Sequence, residues 1–242
     1  VEMPFGPAAG PNTQLSQNIL AGYYAGARFF ELKTVQKMDG AELAACIARP
    51  CIKADDEGYN CEWSTELTVP QALTEYIHAY IAIKILSKRW ELGDPDGFSF
   101  NMSVGYDLAG IQTPKMNAFI DGMMDAEHLP AFTRAIEEAQ AILPDMAEYI
   151  RAIDPHICRS VTISTLHEIE SIASYLIREK HLHTLVKCNP TILGYDFARK
   201  RLDAAGYDYI AFDDHHFKED LQYEDAVPMF HRLMALAKKE GV

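Results

Sequence analysis

The chain has 242 residues, 48% of them hydrophobic and 24% charged, which supports a sizeable buried core and excludes a disordered chain. Its formal net charge of -13, with a pI near 5.1, repels phosphate backbones and anionic lipid, so nucleic acid and membrane surfaces are excluded as partners. No stretch approaches the ~18 uninterrupted apolar residues of a membrane span, and no basic segment followed by an apolar run opens the chain, so no signal peptide is visible; the odd number and irregular spacing of the cysteines favour a cytoplasmic setting.

In chain order, Pro4 to Ala9 reads as a short strand ending in Gly10-Pro11, after which Asn12 or Thr13 caps a helix to about Ala25. Arg28 to Val35 is strand-like. Residues 36 to 70 form a long polar connection that carries Tyr59 and Trp63, whose rings pack or cover a flat ligand. Tyr76 to Leu86, interrupted by His78 and Lys84, reads as a packed amphipathic helix. The turn signal Asp94-Pro95-Asp96-Gly97 leads into a strand over Phe98 to Val104, and residues 105 to 159 hold one or two further helices.

Ser160 to Leu166 is rich in β-branched residues and precedes a helix with Ile169, Ile172, Ala173, Leu176 and Ile177 on one face. His183 to Cys188 is the next strand, followed by a helix around Asp196 to Ala205. Asp208 to Asp213 reads as a sixth strand. A last amphipathic helix uses Val227, Phe230, Leu233, Met234 and Ala237.

Strands alternating with helices predict an α/β fold with a parallel sheet. Six strands are about six of the eight that a closed (β/α)8 TIM barrel needs. The expectation is one barrel domain over 1–242, incomplete at its C-terminus, with inserted segments near 36–70 and 105–159.

Polar residues gather at the strand ends. Lys33 and Thr34 close the second strand, Asn101 and Ser103 fall near the end of the third, and Ser164, Thr165 and His167 close the fourth. Lys187 and Asn189 close the fifth, and Asp213-Asp214-His215-His216 the sixth. Parallel α/β proteins bind ligands at the carboxyl ends of their strands, where loops converge. A lysine beside an apolar strand needs an anion, a carbonyl or water. Lys33 therefore pairs with a carboxylate such as Glu31 or faces a ligand that gains negative charge, as a reduced flavin does.

The other constellations are weaker. Asp213-Asp214-His215-His216 combines carboxylate and imidazole as a divalent metal requires, but neighbours in sequence need help to converge, so a solvated loop is expected and no metal ligand is assigned. Asp125, Glu127 and His128 form no stronger pattern. Cys46, Cys51, Cys61, Cys158 and Cys188 are odd in number, and their intervals match no compact iron–sulfur or zinc pattern. They read as ordinary reduced thiols.

Four motifs occur in order: Pro4-Phe5-Gly6-Pro7-Ala8-Ala9-Gly10-Pro11, Glu31-Leu32-Lys33-Thr34-Val35, Phe100-Asn101-Met102-Ser103 and Val186-Lys187-Cys188-Asn189-Pro190. Together they resemble the FMN-binding barrel of dihydroorotate and dihydropyrimidine dehydrogenases. Three further motifs, Asn101 to Asp107, Glu62 to Glu66 and Cys188 to Tyr195, are similar to the barrel region of selenate-reductase-type large subunits, multidomain iron–sulfur flavoproteins of bacteria.

The resemblance implies an FMN-dependent oxidoreductase module acting on a small oxidised or heterocyclic substrate. It also implies partners: iron–sulfur and FAD/NAD(P)H centres in other domains or subunits. A barrel kept only as a docking module is the alternative. Carried over by residue, Ala8, Ala9 and Gly10 would present backbone to the flavin ring, and Lys33 and Thr34 would hold its reactive edge. Asn101 would bind substrate or flavin, and Lys187, with Asn189 beside it, would sit at the pyrimidine end.

Three departures follow from the same comparison. Val104 stands where the dehydrogenases carry a Cys or Ser base, and Ser103 is expected on the other face of the strand from that position. His167 runs directly into Glu168-Ile169-Glu170 without the Gly-Cys-Pro-Pro-like turn of the family. The phosphate site after strands seven and eight has no counterpart in the chain.

Overall fold

The computed structural model describes residues 1–46, 52–53, 64–65, 67–164 and 168–242. Tyr59, Trp63, Cys51, Cys61, Thr165 and His167 lie outside the described residues. The chain divides into two compact units, Val1–Thr162 and Ile163–Val242.

Unit 1 contains α1 (Ser16–Tyr24), β1 (Phe29–Glu31), α2 (Gly40–Cys46), β2 (Ile52–Lys53), β3 (Ser64–Thr65), α3 (Val69–Trp90) and β4 (Ser99–Val104). It continues with α4 (Leu108–Ile111), α5 (Pro114–Met124), α6 (Pro130–Ile142) and α7 (Ala147–Arg151), and β5 (Ser160–Ile163) crosses the boundary. Unit 2 contains α8 (Ile169–Arg178), β6 (His183–Val186), α9 (Tyr195–Ala204), α10 (His215–Glu219) and α11 (Tyr223–Glu240). The strand order of the main sheet is β1-β4-β5-β6, and β2 with β3 forms a separate parallel pair.

The parallel register of β1 on β4 sets Phe30 beside Phe100 and Glu31 beside Asn101. Since side chains alternate between faces, Phe30, Phe100, Met102 and Val104 share one face. That face is the buried one under α3, where the Phe100 ring meets Phe30 at 5.7 Å and Tyr80 at 6.1 Å, both edge-on.

The predicted first strand is present only in part. The Phe5 and Pro7 carbonyls accept bonds from Phe29 N–H at 3.2 Å and Glu31 N–H at 3.2 Å, as in a parallel ladder. The return bond to the Phe29 carbonyl would have to come from residue 7, and proline has no N–H to give. The predicted sixth strand over Asp208 to Asp213 does not form. Two of its carbonyls accept from side chains of α9 instead: Arg199 donates to Ile210 O at 2.6 Å and the Tyr195 hydroxyl to Phe212 O at 3.4 Å.

The predicted helices fare better, with local shifts, except that residues 105–159 carry four helices, α4 to α7, where one or two are expected from the sequence. Residues 11–13 make a 3-10 turn, and α1 starts later, its Ser16 N–H bound at 2.7 Å by the Glu75 carboxylate of α3. On α8 the five apolar residues of the predicted stripe are all buried. On α11 the buried residues are Ala226, Met229 and Leu233, while Met234 is 68% exposed, so the stripe is rotated from the expected one.

Arg28 ties the start of β1 to the end of α3. It donates to Leu92 O at 2.7 Å, Tyr23 O at 3.0 Å and the Glu2 carboxylate at 3.0 Å, and its guanidinium lies 4.0 Å from the Tyr23 ring centre. The Asp94 N–H and Arg28 together hold the Glu2 carboxyl below the usual carboxylate range. Arg28→Ala removes the side-chain bonds to the Leu92, Tyr23 and Ala27 carbonyls and is expected to destabilise unit 1 by about 2 kcal/mol in denaturant melts; a change under about 0.5 kcal/mol would show that water replaces the guanidinium.

Candidate functional site

The face of unit 1's sheet turned away from α3 is polar. Glu31, Asn101 and Ser103 share it by register and alternation. Thr162 of β5 joins them, because Asn101 Nδ2 donates to Thr162 Oγ1 at 2.7 Å. Asn101, Ser103 and Thr162 are all buried. The Asn101 Oδ1 atom is buried as well and has no hydrogen-bond partner among the described residues. An unsatisfied buried acceptor costs about 1–3 kcal/mol, so its persistence calls for an explanation.

Lys33 and Thr34 occupy a one-residue bulge. Glu31 pairs with Asn101 and Val35 with Val104, so four steps on the first strand match three on the second. The Lys33 N–H donates to Thr13 O at 3.2 Å, and its carbonyl accepts the Tyr76 hydroxyl at 2.8 Å, which fixes the extra residue from both sides. The bulge turns Thr34 onto the polar face, where its hydroxyl lies 2.7 Å from that of Ser103. Bulges of this kind re-aim side chains beside active sites.

The loop of Ala8, Ala9 and Gly10 adjoins this face through Glu31. Ala9 N–H donates to Glu31 Oε2 at 2.9 Å, and Gly10 N–H donates to Thr13 Oγ1 at 3.2 Å. These two amides are therefore engaged. What the three residues offer a flat ring is close approach of small side chains, which the resemblance requires, rather than these N–H donors.

Ser103 deserves a place that alternation gives it directly. It lies on the face of Asn101, whereas Val104 is fully buried on the opposite, apolar face. Thr162 was missed by motif reading, yet Ser160-Val161-Thr162-Ile163-Ser164 shows the same polar–apolar alternation as Ser99-Phe100-Asn101-Met102-Ser103.

In unit 2, Lys187 follows β6, is exposed, and donates its N–H to Ile163 O at 3.2 Å. Asn189 is held by its own unit: its Nδ2 donates to Asp220 at 3.1 Å, and the Thr191 hydroxyl donates to the same carboxylate oxygen at 2.5 Å. The Thr191 and Asn189 bonds hold the Asp220 carboxyl below its usual range. A hollow of about 580 Å³ bordered by Ile177, Leu185, Phe230 and Met234 is mostly apolar, with His183 and Thr184 among its lining residues. Cys158 is a core thiol, raised by burial, while Cys46 and Cys188 are exposed and unpaired with sulfur.

The whole chain, residues 1–242, matches the family model described as the N-terminal TIM-barrel domain of the oxidoreductase YgfK. The chain belongs to this family. It is 44% identical over 260 residues to YgfK of Escherichia coli strain K12, a protein named as an oxidoreductase, with 99% of the chain and 25% of that protein aligned. The YgfK of Escherichia coli O157:H7 matches to the same extent. The chain thus spans about a quarter of the length of these curated relatives. No solved structure matches it. The fold is therefore a TIM-barrel-type α/β domain and the family one of oxidoreductases, in agreement with the strand–helix alternation of the sequence. Among the described residues no helix is long and apolar enough to cross a membrane.

The residues of unit 1 fit a flavin ring on one structural ground: Asn101 Oδ1, buried and without a donor, stands on a polar face where a ring N–H would satisfy it. No residue of the chain is assigned to the flavin phosphate.

Proposed function

We propose that the chain is the flavin-dependent module of a larger redox enzyme, with FMN held at the polar face of unit 1's sheet. The observation that carries this reading is the orphaned Asn101 acceptor. FMN, when bound, supplies the electron transfer that amino-acid side chains cannot. Asn101 accepts a hydrogen bond from the ring, and Lys33, on its bulge, offsets negative charge that the ring gains on reduction. Ala8, Ala9 and Gly10 admit the ring closely. The Thr34–Ser103 hydroxyl pair holds a proton at the same face, which Val104 cannot do from the other side.

The electrons come from NAD(P)H through iron–sulfur and flavin centres in other domains or subunits, in the cytoplasm, and pass to a small oxidised or heterocyclic substrate of the selenate-reductase-like class. The valine at the dehydrogenases' base position favours a second reading, a barrel retained for docking.

The test is a visible spectrum of the protein produced from its complete gene, with the released flavin identified by chromatography. Stoichiometric FMN is expected, with at least a tenfold weaker hold in Lys33→Ala. Intact iron–sulfur absorption without FMN would overturn the flavin reading, and turnover unaffected by Lys33→Ala would favour docking.

A further inference from the structure

A separate constellation lies on α10. The ligand atoms of His215, His216 and Glu219 all lie within 4.8 Å of one another, although all three side chains are exposed. His215 Nε2 stands 3.3 Å from Glu219 Oε2, and His216 Nδ1 stands 3.9 Å from the same oxygen. Two ligands about 2.0–2.1 Å from a tetrahedral metal are separated by about 3.3–3.4 Å. The first pair already has that spacing, and the second needs only a small rotation of the His216 ring. The two imidazoles are tilted by 55° with centres 5.2 Å apart, so neither covers the other.

The short helix is held in place from several directions. Upstream, Asp213 accepts the His215 N–H at 3.1 Å, and Asp214 pairs with Lys218 at 2.6 Å. Beneath, Phe217 packs on Phe212 and Tyr195, with ring centres 5.9 and 5.6 Å away. Downstream, Asp220 receives Asn189 and Thr191. Fixing the helix this way lowers the ordering cost of gathering three ligands. It also sorts the carboxylates. Asp214 is engaged with Lys218 and Asp220 with the Asn189 loop, which leaves Glu219 directed at the two imidazoles.

We infer that His215, His216 and Glu219 form a binding site for a divalent transition-metal ion of the zinc class, completed by water. Two nitrogens and one carboxylate suit zinc, cobalt or nickel and not magnesium or calcium, which take oxygen ligands. The dense negative charge of residues 213–220 favours a cation there. This site is independent of the flavin proposal, since it uses none of its residues.

The test is calorimetric titration of the complete protein with Zn²⁺, alongside Co²⁺, whose visible absorption reports its coordination. His215→Ala and Glu219→Gln are each expected to remove one zinc equivalent per chain and the associated cobalt band, or to weaken binding at least tenfold. His128→Ala, an exposed histidine elsewhere, serves as the control and leaves both signals intact. All these positions are at the surface, so circular dichroism stays unchanged. Zinc stoichiometry and affinity equal to those of the wild type in either His215→Ala or Glu219→Gln would overturn the three-ligand site.

Discussion

Replacing Asn101 with leucine and Thr162 with valine together is expected to strip FMN from the complete protein while leaving unit 1 as stable as before. Each substitution keeps the side-chain shape and removes the polar atoms. The pair loses one buried hydrogen bond, the 2.7 Å contact between them, which contributes about 1 kcal/mol net. It also removes the orphaned Oδ1, whose burial costs about 1–3 kcal/mol. The two changes offset, so amide exchange in peptides covering β4 and β5 should shift by less than about 1 kcal/mol.

On the proposed reading, FMN would lose its bond to Asn101 and its ring N–H would be left without that acceptor. At least a tenfold weaker hold is therefore expected, equivalent to about 1.4 kcal/mol. Released flavin per chain and local exchange are measured on the same preparation. Normal FMN with a loss of more than about 2 kcal/mol of protection would mean that Asn101 is a structural residue and its acceptor is met by water. The single variant Asn101→Leu leaves the Thr162 hydroxyl unpaired, so its stability cost should exceed that of the double variant.

Much of this site was legible in the sequence, and the part that was not has a physical cause. Asn101 and Ser103 sit in a strand whose alternation of polar and apolar residues is plain, and the five-residue stripe of α8 is read directly from its spacing. The bulge at Lys33 and Thr34 was hidden. A bulge depends on the register between two strands far apart in the chain, and one strand alone carries no record of it. Without the bulge, simple alternation from Glu31 would put Thr34 on the apolar face, away from Ser103.

The false strand over Asp208 to Asp213 failed for a similar reason. Its composition suits a strand, but Arg199 and Tyr195 on the preceding helix occupy its Ile210 and Phe212 carbonyls. At Asp213 to His216 the sequence reading expects a solvated loop, because adjacent residues seldom converge. What sequence reading left out was Glu219, one helical turn after His215, which brings the carboxylate back onto the histidines' side. The strand pattern puts Asn189 just past β6, yet the bond to Asp220 arises from chain folding within unit 2 and no motif announces it.

Gly6→Ala is expected to be the most destabilising small substitution in unit 1. A Cβ built at Gly6 would lie 1.7 Å from the Phe29 carbonyl oxygen and 2.7 Å from its carbon. Both atoms are backbone, and β1 cannot recede because β4 pairs with its other edge. The first segment must therefore move away, breaking the bonds from Arg28 and Phe29 N–H to Phe5 O and from Glu31 N–H to Pro7 O. At about 1 kcal/mol per bond, with overpacking adding about 1–3 kcal/mol, the loss reaches about 3 kcal/mol or more. Amide protection along β1 should fall by about a hundredfold.

The same displacement drags Ala8 to Gly10 off Glu31, so FMN occupancy should fall with it. Gly10→Ala separates the two effects. Gly10 is extended at φ -177°, a conformation open to any residue, and its added Cβ would meet the Asn12 side chain at 3.0 Å and the Ala8 carbonyl at an ordinary 3.9 Å. That substitution should cost less than about 1 kcal/mol. If the loop faces a flavin ring, Gly10→Ala lowers FMN while protection of β1 is retained. Full FMN in Gly10→Ala would show that the loop is a tight turn and nothing more, and would move the flavin contact entirely onto Asn101 and the Lys33 bulge.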